Sequence, residues 1–382
     1  MTSRRRLIPL AAAALVCLSV GPASGASLIR VAIIESTPTV EIRGTDLDVQ
    51  PMNAPARGGE PSGCDRCRTW RADRVRASAV ASGVEVDGRR AFAFRLRSEA
   101  PIRVNGRQYP SVVEVVRYGD GLAVVNELPL ENYLAGVLRA ETGDRWPLEA
   151  LKAQAIAART FAAYQRTISG SRPFHILASV AHQGYAGRVP ADSPAWTAVR
   201  ETAGQVLHWE GDLFPAFFHT ESGGWTEDPR LVFAARNMPG LKPVRCEFSK
   251  GSPHYYWKLD LRLAELSETL GRNDVAVGPV TAVEVTERTS SQRASVVTVK
   301  GTRGSARLRG NDFRRMIGYD TLKSTLFAVA VDGEVAHFSG RGYGHGVGLC
   351  QYGAKGMAER GYTARQILDF YYPGTTWATL AR

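Results

Sequence analysis

The chain has 382 residues, 44% of them hydrophobic and 22% charged, the composition of a globular protein long enough for one large core or two smaller ones. Its formal charge of +11 favours an anionic partner, such as nucleic acid, a membrane surface or an acidic cell-wall polymer. No basic run is interleaved with aromatic residues, so nucleic acid is set aside.

Arg4, Arg5 and Arg6 precede an apolar run from Leu7 to Val20, and small residues follow in PASGAS. This is the layout of a secretory signal peptide over residues 1–26, cut near Ala26. The run is about 14 residues, short for a membrane span, and no later stretch is apolar enough to form one. The expected location is therefore extracytoplasmic: periplasm, cell wall or medium. An uncleaved signal acting as an anchor is the alternative. Cys17 lies inside the run, which leaves Cys64, Cys67, Cys246 and Cys350 for the exported chain. Cys64 and Cys67 form a C-x-x-C in a Pro/Gly-rich stretch, with neither the helix start of a redox motif nor a second ligand pair for zinc. A local disulfide or two idle thiols fits better.

Residues 27–126 read as a β-rich N-terminal region. LIRVAII is a buried strand and VEI a second, a loop near 48–70 interrupts, and alternation resumes from GVEVDG onward. Asn105-Gly106 and Asp120-Gly121 are hairpin signals between apolar runs.

Residues 127–382 form the rest of the core. Pro129 is placed in the first turn of a helix whose buried stripe is Leu130, Tyr133, Leu134, Val137 and Leu138. The next stripe position is Glu141. A carboxylate in that place is partly desolvated, which favours the protonated form a general acid needs. The alternative is an ion pair with Arg139, Arg145 or Arg159. In the next helix, Leu148 to Tyr164, Lys152 and Arg159 are seven apart and share one face, either an anion clamp or a solvated surface. Further on, PAWTAVRETAGQVLHWEG reads as helix then strand, and LFPAFFHTESGGWTED as a strand ending in a glycine-rich turn. Residues 257–333 are mixed α/β, and two short helices close the chain.

Gly340, Gly342, Gly344, Gly346 and Gly348 alternate, but without the spacing or lysine of a phosphate-binding loop. Such a loop approaches a ligand closely and presents His345 and Tyr352, or else is a tight structural turn. His219-Thr220-Glu221 lacks the downstream cysteines of a zinc deaminase, and no H-E-x-x-H or G-x-S-x-G occurs. Nothing calls for a metal or another cofactor.

Taken in order, NELPLENYLAGVLRAE, WPLEALKAQAIAARTFA, FHTESGGWTED and GRGYGHGVGLCQYGAKGMA resemble the sporulation stage II protein D (SpoIID) and LytB family. LRGNDFRRMIG and LKSTLFAV resemble its later core. The likeness runs from about residue 100 to 375, and several motifs together are more specific than any one. It implies extracytoplasmic action on peptidoglycan. Enzymatic members are lytic transglycosylases of strands stripped of stem peptides, and others are described as amidase enhancers. By motif, Glu141 matches the catalytic acid, and Lys152, Arg159 and Tyr352 match residues of the site. His219 and His345 fall in matching motifs and are assigned to line it. Thr142 stands where methionine is common, and Cys350 replaces a usual serine. Some members bind zinc through cysteines near the segment that reads AHQGY here, which has His182 but no cysteine, so a structural zinc is not expected.

The expected fold is α+β, a small N-terminal β unit leading into a mixed α/β SpoIID-like catalytic core. The expected activity is that of a peptidoglycan lytic transglycosylase with a single Glu acid/base acting on glycan strands. The alternative is a non-catalytic activator that binds peptidoglycan and partners a cell-wall amidase.

Overall fold

The computed structural model describes residues 27–53, 62–63, 68–110, 112–233 and 240–380. The signal-peptide segment and Cys17, Cys64 and Cys67 lie outside them. The alternating apolar positions of the first hundred residues build a 12-stranded sheet. Its main path runs Ile176–Leu177, Leu28–Thr37, Gly121–Pro129, Val112–Tyr118, Ala93–Arg97, Thr39–Asn53, Trp70–Val80, Gly83–Val86 and Arg89–Ala91.

Two local expectations are corrected. The strand Thr39–Asn53 continues through 48–53, where a loop was placed, because Asp48 to Met52 pair with Arg97 to Ala93. Asn105-Gly106 is the hairpin turn expected, with φ of 48° and 77°. At the other signal the register is one residue off. Gly121 already pairs with Tyr118, and the turn is Gly119-Asp120.

Eight helices occur among the described residues: α1 (Leu130–Glu141), α2 (Leu148–Ile168), α3 (Pro194–Glu201), α4 (Pro229–Val232), α5 (Leu263–Gly271), α6 (Gly310–Ile317), α7 (Gln351–Ala358) and α8 (Ala364–Tyr371). The predicted stripe of α1 is buried throughout and joins Leu151, Ala155 and Ala158 of α2 in one core with the large sheet. The other side of α2, through Ala153, Ile156 and Ala157, packs with Met357, Leu368 and Tyr371 of α7 and α8. The alanines of α2 let it sit between two cores at close approach. A third core lies under α5, α6 and two three-stranded sheets formed by residues 256–341. The fold is thus α+β with an N-terminal β region.

One charged network sits inside the large sheet. Arg30 reaches Glu114 at 2.5 Å and Glu127 at 2.7 Å, and Arg95 pairs with both carboxylates. Glu127 lies on the strand that runs directly into α1, so this network fixes where that helix starts.

Candidate functional site

Pro129 is the residue before α1 rather than part of its first turn, with φ of −56° and ψ of 137°. At the other end, the Leu138 carbonyl accepts from the Thr142 backbone, the Thr142 hydroxyl and the Gly143 backbone. These bonds close the helix immediately after Glu141. The Glu141 side chain is half-buried and both of its oxygens are held. Oε1 accepts from the Gly184 backbone N–H at 2.6 Å, and Oε2 accepts from Gln351 Nε2 at 3.1 Å.

The Gly184 contact depends on its two neighbours. Gln183 accepts from the Tyr133 hydroxyl at 2.9 Å and donates to the Ala158 carbonyl at 3.3 Å. Tyr185 donates to Asn126 Oδ1 at 2.8 Å, and Asn126 in turn donates to Pro110 and Val112 carbonyls. With both flanks pinned to α1, α2 and the sheet, the N–H between them is aimed at Glu141. A Cβ on Gly184 would stand 2.9 Å from Glu141 Oε1. Gly184→Ala is therefore expected to push the carboxylate aside and, for the reaction proposed below, to lower turnover by about ten- to a hundredfold while the thermal midpoint holds. A variant with wild-type kcat would show that the contact does not position Glu141.

The second tie comes from α7. Cys350 caps that helix, its sulfur accepting from Ser222 N at 3.2 Å and Gly353 N at 3.3 Å. Cys350 is buried beside Cys246, whose sulfur touches the Tyr371 hydroxyl at 3.0 Å. Contact with Cys350 draws the Cys246 thiol down, and burial pushes Cys350 up. Capped in this way, α7 buries Gln351 against Glu141 and turns Tyr352 to the half-exposed side. Tyr352 lies edge-on to Trp146 at 5.2 Å and to His254 at 5.6 Å, and His254 lies 5.3 Å from Tyr343. The result is a row of four rings. Lys355 stands 5.9 Å from both Trp146 and Tyr352, and Lys323 stands 5.9 Å from Tyr343. Tyr352 directly follows Gln351, the residue bonded to Glu141, and this neighbour ties the row to the carboxylate. Such a surface, rings flanked by ammonium groups, can stack sugar faces and hold their polar substituents.

Lys152 and Arg159 do share a face of α2, but it packs against α3. Lys152 Nζ pairs with Glu149 at 2.8 Å and with Glu201 at 2.7 Å. Glu149 also accepts from the Ala364 backbone at the start of α8. Arg159 is fully buried. Its guanidinium grips Glu131 through Nε at 2.9 Å and Nη2 at 2.6 Å and donates to the Gln205 and Val199 carbonyls. The clamp expected to face a groove is instead an internal brace between α1, α2, α3 and α8.

His219 sits behind the glycine loop and His345, half-exposed, belongs to it, with 5.5 Å between their ring centres. His219 is buried and bonds through Nδ1 to the Val347 carbonyl at 3.0 Å. His345 Nδ1 accepts from the Val347 N–H at 3.0 Å and its ring meets Phe217 and Phe233. Burial, helped by nearby arginines, holds His219 well below the usual imidazole range, and the same causes lower the half-exposed His345. Both are neutral supports of the loop. His219 is too deep to line a cleft.

Glu221 is a second acid to weigh. Burial raises its carboxyl from 4.5 to about 7, against hydrogen bonds from Ser249 and the Gly223 backbone that pull it down. It is fully enclosed, so a substrate oxygen has no access, whereas Glu141 is half open. Its burial has a signed consequence. Between pH 4.5 and 7 the unfolded chain releases this proton and the folded one keeps it, so stability falls as pH rises through that window and levels above it. Glu221→Gln is expected to match wild type at pH 4 and to exceed it by on the order of 2 kcal/mol at pH 8 in chemical denaturation. The comparison cancels the histidines, which act in the opposite direction. Equal stabilities at pH 8 would refute the assignment.

Among the described residues, no group of three or more His, Cys, Asp or Glu side chains is arranged to hold a metal. His182 uses Nδ1 to accept from the Leu177 backbone. Sequence reasoning missed Gly184, Gln351, Trp146 and His254. The first two stand inside the quoted AHQGY and QYGA segments, next to residues that were noticed.

The sequence is similar to those of known proteins. A family model described as stage II sporulation protein matches residues 118–209, which hold Glu141, Gly184 and the α1–α3 brace. A second, described as a domain of unknown function (DUF8618), matches residues 245–348, the third core. Stage II sporulation protein D of Bacillus amyloliquefaciens is 31% identical over 282 residues, 69% of this chain and 78% of the relative. An uncharacterised protein of Brachyspira hyodysenteriae is 31% identical over 274 residues, 71% of this chain and 72% of the relative. The amidase enhancer of Bacillus subtilis is 31% identical over 291 residues, covering 64% of this chain and 40% of that longer protein. By the extent and identity of these matches, the chain belongs to the stage II sporulation protein D family.

Proposed function

We propose that the protein works outside the cytoplasm as a peptidoglycan lytic transglycosylase. The observation that carries this reading is a half-open carboxylate, fixed at both oxygens, one of them by the residue that precedes Tyr352 in a row of aromatic rings. Glycosidases of the common kind need two carboxylates because water or the enzyme supplies the nucleophile. Here the substrate supplies it, and one carboxyl group suffices.

Protonated Glu141 gives its proton to the glycosidic oxygen as the bond from that oxygen to C1 breaks. The C6 hydroxyl of the same sugar closes on C1, and its proton passes to the Glu141 carboxylate. The product is a 1,6-anhydro sugar, no water is consumed, and the acid is restored. The Gly184 N–H holds one carboxyl oxygen in place throughout. The Gln351 amide donates through nitrogen to the carboxylate and, turned over, accepts through oxygen from the acid, so it fits both states. Trp146, Tyr352, His254 and Tyr343 bind the sugar faces. Lys152, Arg159 and His219 act from behind, by fixing α1, α2 and the glycine loop.

The test is product identity. Peptide-free glycan strands incubated with the purified protein should yield fragments ending in 1,6-anhydro sugars, seen by mass as the loss of one water relative to hydrolytic ends. Reducing ends alone would show a hydrolase. The similarity to an amidase enhancer supports a second reading, a non-catalytic peptidoglycan-binding activator of a cell-wall amidase. That reading predicts no glycan cleavage and a faster amidase in the protein's presence.

A further inference from the structure

Residues 245–348, which a domain of unknown function matches, hold a groove of about 720 Å³ lined by Tyr256, Lys258, Arg288, Gln292, Phe327 and Arg341, among others. Its lining carries three cations and no carboxylate. Arg288 is preset, donating to the Gln292 carbonyl at 2.8 Å and the Phe327 carbonyl at 3.0 Å. The floor is Trp257, whose ring lies so close over Gly340 that a Cβ there would come within 2.2 Å. Tyr256 is 73% exposed and braced edge-on by Tyr255 at 4.8 Å. A hollow of about 300 Å³ shares Gln292, Leu326 and Arg341 with the groove and adds Trp225, Arg245 and Lys250. Trp225 is 46% exposed, and the one carboxylate of the hollow, Glu247, is paired with Arg245.

Exposed aromatic rings alone would suit any sugar. A preset guanidinium among them, with no acid in the groove's own lining, adds a demand for negative charge on the ligand. We propose that this groove binds an acidic glycan, a sugar chain with carboxylates on alternate residues. Tyr256 and Trp225 take sugar faces, and Arg288, Arg341 and Lys258 take the carboxylates. This rests on the cell-wall reading above and sharpens it. In peptidoglycan the O-lactyl carboxylate is free only where the stem peptide has been removed, so the groove reads that removal directly. It is joined to the ring row by two short stretches. His254 is followed by Tyr255 and Tyr256, and Arg341 is two residues from Tyr343, so their Cα atoms are at most about 7 Å apart.

The experiment uses the full chain carrying Glu141→Gln, so that bound strands stay intact, and measures calorimetric affinity for two probes. One is peptide-free peptidoglycan strands, and the other is N-acetylated chito-oligosaccharides of matched length, which lack the carboxylate. Adding Arg288→Ala, or Lys258→Glu at an exposed position that spares the fold, is expected to weaken strand binding by about tenfold and leave chito-oligosaccharide binding unchanged. The preference for strands should shrink as salt is raised. Equal losses for both probes, or no loss for strands, overturn the proposal. If the wild-type protein releases no anhydro sugars but the carboxylate preference persists, the transglycosylase reading falls and the groove assignment stands.

Discussion

Glu141→Gln is expected to slow release of anhydro products from peptide-free strands by about a thousandfold, the middle of the range for a positioned general acid. The substitution isolates the proton. The amide keeps the shape of the carboxylate, its oxygen still accepts from the Gly184 N–H, and Gln351 needs only to turn its own amide to meet the new nitrogen. Strand affinity and thermal midpoint should therefore stay close to wild type. Activity is followed as anhydro ends per unit time, and binding is followed separately on the same preparation. Activity near the wild-type level would remove Glu141 from the chemistry. Loss of activity together with loss of the fold would be uninformative for Gln, so Glu141→Asp provides a second arm. It keeps the acid but withdraws it by one methylene, and it should be impaired through kcat rather than KM.

Arg159→Met carries the largest expected effect on stability, about 3 kcal/mol in denaturant unfolding. The guanidinium is fully buried and serves Glu131 together with the carbonyls of Val199 and Gln205. Methionine fills much of the volume but leaves those carbonyls without a donor, and an unsatisfied buried polar group costs on the order of 1–3 kcal/mol. Glu131 is more than one third exposed, so its stranded carboxylate turns to water and adds less. The variant that folds should bind glycan as wild type does. A residue that touched substrate would show the reverse, with stability kept and affinity lost, so the two measurements together decide between brace and clamp.

The α1 stripe and the place of Glu141 on it could be read from spacing alone, because a helical period is local. The same period correctly put Lys152 and Arg159 on one face. It could not say what that face meets. Their partner, α3, begins 35 residues after Arg159, and α8 lies at the far end of the chain. The ties to Glu141 are equally non-local, with Gly184 at 43 residues and Gln351 at 210. No propensity or periodicity encodes such distances. Resemblance supplied the motif residues but not their surroundings: Arg159 and His219 are buried, and Lys152 is held between two glutamates. The hairpin at Gly119-Asp120 failed for a smaller reason. Asp-Gly is a strong turn signal, and it drew the turn one residue past the glycine that adopts positive φ.

The cap at Cys350 makes this protein report on its own opening. Here a thiol sits directly beneath the residue that holds Glu141, and Cys246 lies against it, both shielded from solvent. A maleimide or an aromatic disulfide reagent can reach them in the reduced protein only when α7 lifts away. The slow phase of labelling therefore times the loosening of α7, cysteine by cysteine if the adducts are mapped by mass. Bound glycan should lengthen that time.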